Sequence, residues 1–328
     1  MLVQTPRLTR RDLGSLVLGL GLGGELGIAP AHATRFINVG AGHSGGSFFP
    51  VGAAVVAAIS AGVPDVRAQV QQTGGSHENI QLVIRRRAEF GIALADALSS
   101  ATRGADPRRY PRPLPSLRGV AALFPSYVHL AVRADSGVRT LQDLRGKRLT
   151  VGAAGGGTES NARDILAAAG MSFNDLGRVE FLSGTDTADA IRDHRIDGLF
   201  LSTGLGASAL VEIGRSIDLR FVPIPADTIS AIGDAAYTAG QLPAGTYNAQ
   251  GLPAPTAVVW THLFCDQSMP AATVTQVLEA IFSNLDQFRG AHASLRPFSV
   301  EQAVRGMPIA FHEGAAAFYA ARGITVRS

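Results

Sequence analysis

Residues 40–52, GAGHSGGSFFPVG, meet two chemical patterns at once. Gly40-x-Gly42-x-x-Gly45 has the spacing with which a glycine-rich turn brings backbone against a pyrophosphate at a helix N-terminus. Gly42-His43-Ser44-Gly45-Gly46 has the G-x-S-x-G form of a tight strand-to-helix turn that presents a nucleophilic serine. A third chemistry needs no reaction, because the N–H groups of such a loop can cradle an anion.

Each catalytic pattern lacks its partners. A dinucleotide site calls for an acidic side chain about 20 residues on, at the end of the second strand. That segment reads QVQQTGGS, and Asp65 precedes it. A nucleophile elbow follows several strands and borrows an oxyanion-hole donor from an upstream loop. One strand alone lies between Thr34 and Ser44, and the triad partners would have to come from scattered residues such as Asp96, His129 and His262. An exported serine hydrolase using Ser44 remains the alternative reading.

Two more loops share the form of strand, small residues, helix start: Thr73-Gly74-Gly75-Ser76, followed by HENIQL, and Gly155-Gly156-Gly157-Thr158-Glu159. Glycine lets the backbone come close to a ligand, and Ser76 and Thr158 are natural N-caps. A helix N-terminus carries about half a positive charge, and an anion there gains about 0.3–2 kcal/mol depending on burial. Taken singly each loop is an ordinary βα turn; three converging would suit a small carboxylate. His43 could donate to that carboxylate or be solvated. Asp96 could line a cleft or cap the next segment. Glu159 is a favourable dipole partner, or would hold an ammonium group if it faced the cleft. Arg85-Arg86-Arg87 reads as a solvated helix end and Trp260 as core.

The elements that must position these loops alternate almost throughout. Strands are expected at 36–41, 67–73, 90–95, 128–133, 149–153, 179–182, 196–201, 219–224 and 256–264. Helices are expected at 48–60, 76–87, 158–169, 186–194, 207–214, 270–289, 299–305 and 312–322. Residues 103–116 form a Pro/Arg-rich loop. Alternation of this kind predicts an α/β chain of parallel β-α-β units, with ligands bound where the carboxyl ends of strands meet helix N-termini.

The first 33 residues read as an address. Arg10-Arg11 after Thr9, a glycine-diluted apolar stretch and Ala31-His32-Ala33 predict a twin-arginine (Tat) export signal cleaved before Thr34. The apolar stretch falls short of the roughly 18 residues that span a bilayer. Cleavage removes Arg7, Arg10, Arg11, Asp12 and Glu25, so the formal net charge falls from +3 to +2. That is too mild to imply nucleic acid or an anionic membrane. Cys265 is the one cysteine, so no internal disulfide can form. The eight histidines are scattered without H-E-x-x-H spacing, so no metal and no cofactor is expected.

In order and spacing the chain resembles the TRAP-associated extracytoplasmic immunogenic (TAXI) family of solute-binding proteins. The likeness runs through INVGAGHSGGSFFPVG, QVQQTGGSHENIQLV, AEFGIALAD, DLRGKRLTVGAAGGGTESNARDIL and LPAGTYNAQ, covering nearly all of residues 34–328. It implies a type II periplasmic-binding-protein fold, two α/β lobes hinged around a ligand cleft. Lobe one would be 34–127 plus 258–328, and lobe two 128–257. It also implies a monomeric periplasmic receptor that hands a small carboxylate, of the dicarboxylate or acidic amino acid class, to an ion-gradient-driven TRAP permease. An orphan sensor serving a signalling partner is the variant of this reading. By position, Gly42, His43, Ser44, Gly45, Thr73, Gly74, Gly75, Ser76 and Asp96 would form one wall. Thr158, Glu159, Ser202 and Thr203 would face them. Phe48, Phe49 and Ala95 stand where the family often has tyrosines and a serine, which makes the expected pocket less polar.

Overall fold

The computed structural model describes residues 34–248 and 250–328, so the expected leader at 1–33 lies outside the described residues. The chain starts as parallel β-α-β units: β1 (Arg35–Gly40), α1 (Phe48–Gly62), β2 (Val66–Gln71), α2 (Ser76–Ile84), β3 (Phe90–Leu94) and α3 (Ala95–Arg103). After the Pro/Arg-rich loop comes the 17-residue β4 (Leu117–Arg133). A second series follows: β5 (Arg148–Thr150), α4 (Gly157–Ala168), β6 (Arg178–Glu180), α5 (Gly184–Arg192), β7 (Gly198–Thr203), α6 (Ser208–Ile213), β8 (Leu219–Phe221), α7 (Ala226–Ala231) and β9 (Tyr237–Leu242). The 13-residue β10 (Ala254–Asp266) returns the chain, and α8 (Ala271–Ser283), α9 (Leu285–Gly290) and α10 (Glu313–Ala320) end it.

All strands join one sheet in the order β2-β1-β3-β10-β4-β7-β5-β6, with β8 paired to β4 and β9 to β10. The outer groups, β2-β1-β3 and β6-β5-β7, are parallel as alternation predicts. The centre departs from the expectation. β4 and β10 run antiparallel to each other and to their outer neighbours β7 and β3. The reason is connectivity: β4 follows β3 through α3 and a loop and runs parallel to it, whereas β10, reached from β9 through a loop, enters between them in the opposite direction, and an antiparallel neighbour needs no crossover. The sequence also understated β4, whose first half contains Gly119 and Pro125. The register with β10 shifts between Thr261 and His262, passing over Leu123, two residues before that proline.

Helices cover both faces at each end. At the β1–β3 end, α1, α8 and α10 bury one apolar face around Val55, Ile59, Ile281 and Phe318. α2 and α3 bury the other around Ile80, Leu98 and Phe264. At the β5–β7 end, α4 packs around Ile165 and Phe200, and α5 and α6 pack around Ile191 and Leu210. Smaller corrections have local causes. α2 stops at Ile84 instead of Arg87 because Arg86 is left-handed (φ 56°) and the Arg87 N–H returns to the Leu82 carbonyl at 2.8 Å. The single helix expected over 270–289 breaks at Asn284 into α8 and α9. The segment 299–305 is reduced to a 3₁₀ turn, and α7 and β9 occupy a stretch that reads as loop.

The Phe264 ring fills the space over Gly91, where an added Cβ would lie 2.6 Å from it. The ring is fully buried. Phe264→Ala should therefore cost about 3–5 kcal/mol of unfolding free energy, read as a lower urea midpoint with unchanged slope.

Candidate functional site

Gly40 ends β1, and the following loop runs to Ser47 before α1 begins. Ser47 is buried and meets Thr203 at the end of β7: its N–H donates to Thr203 Oγ1 at 3.0 Å, and the Thr203 hydroxyl donates to Ser47 Oγ at 3.0 Å. The second loop, Thr73–Gly75, is set by Asn79, which is fully buried on α2. Its amide donates to the carbonyls of Ala41 (2.6 Å) and Ile92 (2.7 Å), while its oxygen accepts from the Thr73 hydroxyl (2.8 Å). One side chain thus ties the first loop, the second loop and β3. Gly75 takes φ 115°, ψ −144°, a conformation that excludes side-chain-bearing residues.

The third loop leads from β5 into α4 and presses against the second. A Cβ on Gly156 would lie 2.6 Å from the Gly74 carbonyl, and one on Gly157 would lie 2.6 Å from Ser76 Oγ. Bare backbone is the condition for this approach. The two loops share a closing device: Glu78 accepts from the Gly74 N–H at 2.6 Å, and Glu159 from the Gly155 N–H at 2.9 Å. In each case a first-turn carboxylate reaches back four residues, favoured by the helix dipole.

Between these loops lies a pocket lined by Gly42, His43, Gly46, Ser47, Phe48, Gly74, Gly75, Ser76, Leu94, Gly157, Thr158, Leu201, Ser202 and Thr203. Space for a water-sized sphere amounts to about 30 Å³, enough for two or three waters in the arrangement seen. Among the described residues, no carboxylate, arginine or lysine lines it. Five hydroxyls do; those of Ser202 and Thr203 give their protons to Asn161 Oδ1 and Ser47 Oγ, and the other three have oxygens that already accept hydrogen bonds. Ser76 Oγ takes the Leu94 N–H (3.1 Å), Thr158 Oγ1 takes the Ser202 N–H (3.0 Å), and Ser47 Oγ takes the Thr203 hydroxyl. A hydroxyl with its oxygen engaged offers its proton, so the wall is rich in donors. The first turns of α1, α2 and α4 add N–H groups that have no partner within their helices. His43 carries an unpartnered buried Nδ1, and burial holds its pKa below the usual value, so it is neutral at pH 7.

Of the residues singled out in the sequence, the structure brings Gly42, His43, Gly74, Gly75, Ser76, Thr158, Ser202 and Thr203 onto this pocket. Five lie off it. Ser44 is exposed and makes no side-chain hydrogen bond among the described residues, a poor setting for a nucleophile. The Gly45 carbonyl accepts from the Ala209 N–H at 3.2 Å, joining the first loop to α6. Thr73 faces Asn79. Glu159 pairs with Arg109 and Arg163, both at 2.8 Å. Partial burial opposes its ionisation, but these bonds and the Gly155 N–H hold it below the usual carboxylate range. Asp96 sits in an adjoining cleft with Asn161 and Tyr237. Gly46, Ser47, Phe48, Leu94, Gly157 and Leu201 also line it and were not among the candidates. Gly46, Ser47 and Gly157 were legible as members of the same loops; the other three look like core until the loops converge. Among the described residues, no group of three His, Cys, Asp or Glu side chains could hold a metal ion, and no helix is long and apolar enough to cross a membrane.

A two-ended α/β sheet joined by crossing strands, with a pocket between the ends, is the fold of periplasmic solute-binding proteins. Similar solved structures include a periplasmic transporter protein (18% identity, 81% of this chain and 88% of the other, TM-score 0.53). MatC from Rhodopseudomonas palustris with bound malate is another (15% identity, 80% and 88%, TM-score 0.55). A protein from Bordetella bronchiseptica RB50 is a third (15% identity, 89% and 90%, TM-score 0.51). Residues 39–323 match the NMT1-like family, and the chain belongs to it.

Asn79→Ala removes partners from two carbonyls and one hydroxyl, all buried. Each unsatisfied group costs about 1–3 kcal/mol, so the variant should lose several degrees of melting temperature. Its first two loops should also exchange amide hydrogens faster than in the wild type.

Proposed function

We propose that this protein is a non-catalytic receptor that closes two lobes on a small carboxylate and delivers it to a membrane transporter. The observation that carries the reading is the meeting of three helix N-termini and three proton-offering hydroxyls on one pocket free of charged side chains. Such a wall solvates a single negative charge with fixed donors, and no carboxylate is present to repel it. Lobe one would comprise 34–127 plus 258–328 and lobe two 128–257, with β4 and β10 as the hinge strands.

Pocket chemistry narrows the ligand. Phe48, Leu94 and Leu201 give it an apolar side, and no cation lines it to neutralise a second carboxylate. A short monocarboxylate with an apolar tail fits these walls better than a dicarboxylate or an acidic amino acid. Membership of the TAXI family, a TRAP permease as the partner and Tat-dependent export to the periplasm complete the reading. Malate bound in the similar MatC structure is in keeping with a carboxylate cargo. Ser44, exposed and without a base, gives the hydrolase alternative no support.

A thermal-shift panel of small monocarboxylates, dicarboxylates and amino acids tests the proposal. A true ligand should raise stability by about 2.7 kcal/mol at a hundredfold excess over Kd. Thr158→Val keeps the shape and removes a donor to a charged group, worth about 1.5–3 kcal/mol, so affinity should fall tenfold or more by calorimetry. Silence across the panel, or ester turnover abolished by Ser44→Ala, would overturn the receptor.

A further inference from the structure

Beside the pocket lies a larger cleft between the same two ends of the molecule, lined by His77, Asp96, Arg109, Ser160, Arg163 and Asp164 among others. Consecutive residues of α4 bridge it. Glu159 pairs with Arg109 at 2.8 Å, Ser160 Oγ meets His77 Nε2 at 2.7 Å, and Asn161 Nδ2 donates to Asp96 Oδ2 at 2.9 Å. Ser160 Oγ also accepts from Arg109 at 3.1 Å, and the other ring nitrogen of His77 meets the buried Tyr110 hydroxyl at 2.6 Å.

Asp96 is the anomalous member. It is 5% exposed, and its Oδ1 is buried with no hydrogen-bond partner among the described residues. Tyr237 on β9 has one phenolic proton and faces two carboxylates, Asp164 at 2.8 Å and Asp96 at 3.4 Å. Neither aspartate has an arginine, lysine or histidine within ion-pair distance among the described residues. The nearby cations are committed elsewhere: Arg103 to Asp234, Arg109 to Asp106 and Glu159, and Arg163 to Glu159. Two unpaired carboxylates with one phenol and one amide between them are a proton short.

We propose that closing the cleft takes up one proton at Asp96, so that the Asp96–Asn161–Tyr237–Asp164 cluster is a latch that fastens in mild acid and loosens as the pH rises. The inference rests on reading the molecule as a hinged receptor and supplies the regulation of its site. The latch adjoins the pocket directly, since the Ser202 hydroxyl donates to Asn161 Oδ1 at 2.6 Å.

Asp164 apart, the shifted groups around Asp96 are held outside that mild-acid range. Burial first, and then Arg109, depress His77 to about 3, and burial raises the phenols of Tyr110 and Tyr237. Glu159 is held ionised by its arginines and the Gly155 N–H, and the Asp106 carboxylate is also held low. Asp164 is pushed up by its own burial. Burial, and then the charge of Asp164, push Asp96 up to about 7. When the ends part, both aspartates regain water and titrate near the ordinary value of about 4. Below about pH 4 both arrangements carry the proton and closure has no slope with pH. Between about 4 and 7 only the closed one keeps it, so closure weakens by up to tenfold per pH unit as the pH rises. Above about 7 both are ionised and the slope flattens.

Small-angle X-ray scattering of the purified protein from pH 5 to pH 8.5 reads the latch without any added ligand. Wild type should be compact at pH 5 and expand towards pH 8, the closed-to-open ratio falling at least tenfold. Asp96→Asn and Asp164→Asn each remove the charge conflict while keeping shape, so both should stay compact throughout. Wild-type scattering that ignores pH would overturn the latch, as would an expansion that persists in Asp96→Asn. Failure here leaves a carboxylate hit in the thermal-shift panel standing, and silence in that panel leaves the scattering result standing.

Discussion

The carboxamide of Asn79 is the joint on which the pocket depends. It has no access to water, and it satisfies all of its hydrogen bonds but one acceptor site with groups from three separate segments. A buried amide in that position cannot be displaced without leaving polar groups unpaired, which makes the placement of both loops at the β1–β3 end nearly obligatory. Once the second loop is set, Gly75 and Ser76 have fixed positions. Gly156 and Gly157 of the opposite wall can then approach to within the space a methyl group would occupy.

What results is a pocket whose polarity comes from orientation rather than charge. The hydroxyls of Ser47, Ser76 and Thr158 are turned into donors because another group has already claimed each oxygen. Carboxylates are kept off the wall by employment elsewhere: Glu78 and Glu159 fold back to close their own glycine loops. The same economy shapes the neighbouring cleft, where the first turn of α4 presents Thr158 to the pocket and Glu159, Ser160 and Asn161 to the far side. One helical turn therefore links ligand contact to contact between the two ends of the molecule.

Much of this was legible in the residues. Three glycine-rich loops and the alternation of elements pointed to a βα sheet with an anion-friendly rim, and eight of the thirteen candidate positions line the pocket, although Gly75 and Gly156, not Ser76 and Thr158, are the N-caps of α2 and α4. Glu159 follows the lining residue Thr158 and Asp96 lies two residues past Leu94, yet successive residues on a helix point about 100° apart. Adjacency in sequence therefore says little about which cavity a side chain enters. The central antiparallel strands were understated because Gly119 and Pro125 read as breaks.

The sequence by itself determined the class of fold, the loops and the scarcity of charge around them, because hydrophobic period and glycine placement are local properties. Tertiary structure alone decided that Ser44 faces outward, that Leu94 and Leu201 share a wall with Ser76, and that Asp96 meets Asp164 across a cleft. Those facts depend on contacts between residues far apart in the chain. Which of two polar neighbours is desolvated is settled when the sheet's two ends pack together, and no local pattern carries that information.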